Sequence, residues 1–276
     1  MKTLFNTLTI VLLTILLPIS ACKDDDNIPK TPDNPAAEMI KIGETYLVGA
    51  NAKAVAFVKE SLTTGYNTIY FALTDSTDGS ALNHGHFDVT PTMDMGGMVH
   101  GAPVENSESS EAVNGYFESS VVFTMPGSAE MWSLEISFHN HKTGYEGFGD
   151  IGVEVAQSAP NRLISTSLAN DTTTTIFMSI VVPTKFKIGI NDIEFSLHSM
   201  KSMMEFPPVE DLSIEIEPYM PSMEHGSPNN VHPVHISDGH YQGKVNFTMS
   251  GLWHVRIRLY KDGILQNEGK YFEVTI

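Results

Sequence analysis

Two short stretches of this sequence hold residues able to grip a soft metal: Met95-Gly-Gly-Met98-Val-His100 and Met220-Pro-Ser-Met223-Glu-His225, both reading Met-x-x-Met-x-His. Thioether sulfur is soft and imidazole nitrogen borderline, so the set favours copper, Cu(I) above all, over calcium, magnesium or manganese. In an extended backbone Met98 and His100 share a face, as do Met223 and His225. Gly96-Gly97 or Pro221-Ser222 then allow the turn that brings in Met95 or Met220. Each motif supplies at most three ligands, so nearby residues must complete the set. His84 and His86 before the first motif, and His198 and Met200 before the second, are the supporting candidates. Met93 and Asp94 adjoin the first motif, while Met203, Met204, His139, His141, His232, His235 and His240 stand further out. The competing reading is plain packing. Methionine fills irregular cores, which is the expectation for Met125 and Met249, and His100 and His225 then only cap a turn before Gly101 and Gly226.

The elements that position these residues recur. Gly65-Tyr-Asn-Thr-Ile-Tyr-Phe-Ala-Leu73 returns as Gly189-Ile-Asn-Asp-Ile-Glu-Phe-Ser-Leu197, Tyr116 is matched to Tyr241, Val121-Val-Phe-Thr-Met125 to Val245-Asn-Phe-Thr-Met249, and Trp132 to Trp253. Order kept over so long a stretch signals an internal duplication, one unit at 41–157 and another at 160–276. Within each unit the pattern alternates. Ile69, Phe71 and Leu73 fall on one face, as do Leu134, Ile136 and Phe138, and as do Trp253, Val255, Ile257 and Leu259. Lys261-Asp-Gly263 marks a tight hairpin turn. No segment keeps a helical period. The fold class expected is all-β: two tandem immunoglobulin-like β-sandwiches of about seven strands each, with the two tryptophans in the cores.

The N-terminus points to export. Lys2 and the apolar run Leu4–Leu17 read as a signal peptide over 1–21, too short to span a membrane. Ile19-Ser-Ala-Cys22 is similar to the lipobox of bacterial lipoproteins, which makes Cys22, the only cysteine, the lipidation site. Residues 22–40 then form a tether with Pro29, Pro32 and Pro35. Lys23-Asp-Asp-Asp26 resembles the surface-export signal of Bacteroidota lipoproteins, and a solvated acidic spacer reads equally well. A lone cysteine allows no intrachain disulfide, so core packing must hold the fold. The formal charge of −17 repels phosphate backbones and excludes nucleic acid as a natural partner. The expected location is the cell envelope, lipid-anchored to the outer membrane.

The second unit carries a wider likeness. Met220-Pro-Ser-Met-Glu-His225, then Gly239-His-Tyr241-Gln-Gly243-Lys-Val245-Asn-Phe247, then Met249-Ser-Gly-Leu-Trp253 resembles the YtkA-like/FixH family of exported β-sandwich domains. The first unit departs from the pattern, with Gly96 in place of the motif proline and no glycine two residues after Tyr116. The resemblance implies a sandwich fold, an exported location, and a link to copper handling and respiratory oxidase assembly. It also implies Met220, Met223 and His225, and through the duplication Met95, Met98 and His100, as metal ligands. Two functions follow as expectations: copper binding or handling at the envelope, with an envelope copper or respiratory-assembly protein as partner, or a metal-free adhesion or accessory module. Catalysis is not expected, since there is no Gly-x-Ser-x-Gly, P-loop or His-Glu-x-x-His pattern.

Overall fold

The computed structural model describes residues 39–276. Cys22, the signal peptide and nearly all of the tether lie outside the described residues. Among the described residues there is no helix, and none long and apolar enough to cross a membrane.

The first half runs β1 (Ile40–Leu47), β2 (Ala52–Val58), β3 (Gly65–Asp75), β4 (Gly85–Asp94), β5 (Val99–Gly101), β6 (Val104–Asn106), β7 (Phe117–Phe123), β8 (Gly127–Asn140) and β9 (Tyr145–Val155). The second runs β10 (Leu163–Leu168), β11 (Asp171–Val182), β12 (Gly189–Met200), β13 (Ser213–Met220), β14 (His225–Gly226), β15 (Val231–Ser237), β16 (His240–Phe247), β17 (Leu252–Lys261) and β18 (Ile264–Thr275). Each half folds as two facing antiparallel sheets. The orders β1-β2-β3-β7-β6 and β5-β4-β8-β9 of the first return as β10-β11-β12-β16-β15 and β14-β13-β17-β18 in the second. The alternating residues read from the sequence do face inward. Ile69, Phe71, Leu134, Phe138 and Trp132 form one core with residues of both sheets, and Phe195, Val255, Ile257 and Trp253 form the other. Nine strands per half exceed the seven expected, because short edge strands such as β5, β6 and β14 hold too few residues to show a period.

The register corrects two correspondences. Phe117, not Tyr116, stands opposite Phe71 as Tyr241 stands opposite Phe195. A one-residue slip turns a side chain to the other face, and Tyr116 accordingly lies outside the core while Phe117 is inside. Likewise Met93 pairs with His100 as Met220 pairs with His225, so Met93 holds the place of Met220. The β4–β5 hairpin is two residues longer than β13–β14 and turns through Gly96 and Gly97, both at positive φ, which leaves Met95 in the loop.

Candidate functional site

Each sandwich ends in the same small constellation. Trp132 and Trp253 are wholly buried, and each donates its indole N–H to a carbonyl at 3.1 Å, that of Met125 and that of Met249. A buried indole needs such a partner, and the bond fixes the ring. Against each ring an imidazole stands edge-on: His100 at 5.7 Å and 90° from Trp132, His225 at 5.6 Å and 78° from Trp253. In both cases Nδ1 lies 2.8 Å from the carbonyl of the following glycine, Gly101 or Gly226. A carbonyl can only accept, so Nδ1 carries the hydrogen and Nε2 is left as the free acceptor nitrogen.

The thioethers divide. Met220 and its counterpart Met93 are buried beside the tryptophan ends. Met95, Met98 and Met223 are exposed, with Met98 and Met223 two residues before the histidine in each case. Met125 and Met249, expected as core, are 36% and 38% exposed; the strand pattern breaks at them because each turns its carbonyl inward to the tryptophan.

The two ends differ in cover. His100 is 7% exposed, and its Nε2 is buried with no hydrogen-bond partner. After β12 the chain makes a hairpin, with Ser202 bridged to Glu205, that reaches the first sandwich. The Gly101 N–H donates to the Met203 carbonyl at 2.7 Å. A Cβ built on Gly101 would stand 3.5 Å from the Phe206 ring and 3.6 Å from Met204 Cε. Exposed Met203 and Met204 therefore join the His100 end from the other half of the chain, a placement no local motif could reveal. His225 is half-buried, and among the described residues no hairpin is hydrogen-bonded to Gly226 as Met203 is to Gly101.

The supporting histidines do not join these ends. His86 lies seven residues from Met93 along β4, roughly 23 Å at about 3.3 Å per residue, with His84 further still. They meet His139 and His141 instead: the His84 and His141 rings are 4.4 Å apart and those of His86 and His141 4.7 Å. His198 is buried where the halves meet and faces Glu105, and Met200 ends β12 just before the hairpin. Among the described residues, no three His, Cys, Asp or Glu side chains are already set to hold a metal ion.

A charged cluster ties the halves together. Glu105 accepts from the Tyr66 hydroxyl at 2.6 Å and from His240 Nε2 at 2.9 Å, while His240 Nδ1 lies 2.7 Å from Glu194. Burial opposes charge on His240, but hydrogen bonds to Glu105 and Glu194 outweigh it and push its pKa up to about 9. Burial pulls His198 down to about 4, despite the nearby Glu105 charge. Burial also works to raise Glu105, yet the bonds from His240 and Tyr66 prevail and lower it. Burial and the Glu105 charge raise Tyr66.

No curated protein matches the chain. Among solved structures it is similar to domains 5-6 of the S-layer protein SbsC (13% identity, covering 86% of this chain and 97% of that one, TM-score 0.31). It is also similar to invasin, a bacterial integrin-binding protein (14%, 82% and 39%, TM-score 0.25), and to InvD of Yersinia pseudotuberculosis (14%, 87% and 57%, TM-score 0.22). The chain spans less than two thirds of the length of the last two. The family described as YtkA-like matches residues 170–258, from the start of β11 through Trp253 and most of β17. Those residues form a YtkA-like domain.

Proposed function

We propose that this chain is an exported, lipid-anchored copper-binding protein of the cell envelope, built from two duplicated sandwiches that each offer a Met/His end to Cu(I). One observation carries the reading. In both halves the imidazole is oriented by a bond from Nδ1 to the next carbonyl, which leaves Nε2 free, and an exposed methionine stands two residues upstream. Metal-binding histidines are commonly fixed through their second nitrogen in this way. The donor chemistry also fits: Nε2 of His100 is a buried acceptor without a partner, and exposed thioethers of Met98, Met203 and Met204 belong to the same end. Bound there, Cu(I) would be held by His100 or His225 together with Met98 or Met223. The protein's part is to aim the imidazole and to hold soft sulfur within reach.

The test is titration of the chain with Cu(I) against a chromophoric chelator. Wild type should compete for copper, and the His100→Ala/His225→Ala variant should lose about 10- to 100-fold in affinity or more, at least what the loss of an outer partner costs. Unchanged binding in that variant overturns the assignment.

A second reading, a metal-free adhesion or accessory module, is favoured by the burial of Met220 and His100. It predicts no copper in protein purified from copper-supplemented cells, together with retention of a defined protein or glycan.

A further inference from the structure

Four histidines of the first sandwich occupy one corner of the sheet formed by β4, β8 and β9. His86 pairs with His139 in an antiparallel ladder, and His84 lies just before β4 and His141 just after β8, in the turn. Directly opposed residues share a face, so His86 and His139 both project from the outer face of the sheet, and the chain ends just beyond them bring His84 and His141 to the same corner. His84, His86 and His139 are exposed and His141 is half-buried among them.

His141 is the hub. Its ring lies 4.4 Å from His84, 4.7 Å from His86 and 5.3 Å from His139, and its Nδ1 is 3.0 Å from Nε2 of His84. Two nitrogens on a tetrahedral ion stand about 3.3 Å apart, given metal–nitrogen distances of about 2.0–2.1 Å. The first pair is thus already near ligand spacing. The backbone beneath is closely packed. A Cβ on Gly85 would fall 2.3 Å from the Phe138 ring, so glycine lets β4 lie tight on β8 between His84 and His86. Asn140, fully buried between His139 and His141, donates to the Ala50 carbonyl at 3.1 Å and accepts from the Lys142 N–H at 2.9 Å.

Carboxylates surround the patch. Glu111 Oε1 is 3.6 Å from His84, and Glu146 pairs with His139 on the same face. The rings are not converged on one point, and His84 and His141 spend their facing nitrogens on each other. Exposed imidazoles reorient by rotation about two side-chain bonds, and a cation replaces that single hydrogen bond with two or more coordinate bonds.

We propose that His84, His86, His139 and His141 form a binding site for a borderline divalent transition-metal ion, Zn(II) or Cu(II), separate from the Met/His ends. Imidazole suits these ions, whereas thioethers favour Cu(I), so the site and the proposed copper function fail independently.

The experiment is Zn(II) titration of the whole chain, purified without a histidine tag, against a chromophoric chelator. One Zn(II) per chain is expected. His84→Ala/His141→Ala and His86→Ala/His139→Ala should each weaken it by about 10- to 100-fold or more, and His100→Ala/His225→Ala should leave it unchanged. Cu(II) at the same site should show nitrogen superhyperfine splitting in its electron paramagnetic resonance spectrum. No stoichiometric Zn(II) uptake by wild type, or uptake undiminished in either histidine pair variant, overturns the proposal.

Discussion

Tyr241 and Phe117 take the same place in the two cores, yet only Tyr241 has a hydroxyl, and that hydroxyl is fully employed. It donates to the Val209 carbonyl at 3.0 Å and accepts from the Leu212 N–H at 3.3 Å. Tyr241→Phe keeps the ring and removes both bonds, so it should cost about 1–3 kcal/mol, read as a lower urea midpoint with the slope unchanged. The first sandwich shows that a phenylalanine is tolerated there when no backbone depends on it. At this scale the sequence was legible where side chains are few and large. The two tryptophans and the alternating Ile, Phe and Leu fell where their pattern put them. Met125 and Met249 did not, because the alternation ends in a carbonyl turned toward an indole and composition carries no trace of that.

At the scale of elements, the hairpin after β12 is the consequential piece. Gly101 lets it lie close, since the space for a Cβ is bounded by the Pro91 carbonyl at 3.3 Å, Phe206 and Met204. Gly101→Val should lift the hairpin. The Gly101 amide bond to Met203 would then open, seen as faster hydrogen exchange there, and His100 would become reactive to an imidazole-modifying reagent. If the amide stays protected, the packing is looser than described. The hairpin's effect on the His100 end was illegible in the sequence because the partners are about a hundred residues apart and share no periodicity. The four-histidine corner was partly legible: both His-x-His pairs are visible, but only the β4–β8 register shows that they face each other. The β4–β5 loop offers a smaller test. Gly97 has a φ of 143°, so Gly97→Ala should cost about 1 kcal/mol of stability by its backbone alone.

At the scale of the whole molecule, the Glu105–His240–Glu194 cluster makes the union of the halves depend on pH. His240 has its pKa raised from 6.5 to about 9 in the folded chain. Its contribution is therefore complete below about 6.5 and is lost as pH rises through about 9. His198 works in the opposite sense, since its pKa falls to about 4. Its contribution is present above about 6.5 and is lost as pH falls toward 4, and the lowered Glu105 adds to the loss in acid. Thermal unfolding should show greatest stability near pH 6.5, with a decline between about pH 6.5 and 9 that Glu105→Gln flattens. An identical alkaline decline in that variant would remove the cluster from the explanation.

The hairpin that shields His100 while leaving His225 uncovered has a practical corollary. One chain carries two imidazoles with the same hydrogen-bond and tryptophan partners, one buried under the hairpin and one half-buried without it, so each serves as the other's internal reference. Any reagent or ion that distinguishes them reports on the cover itself, the added thioethers of Met203 and Met204 included.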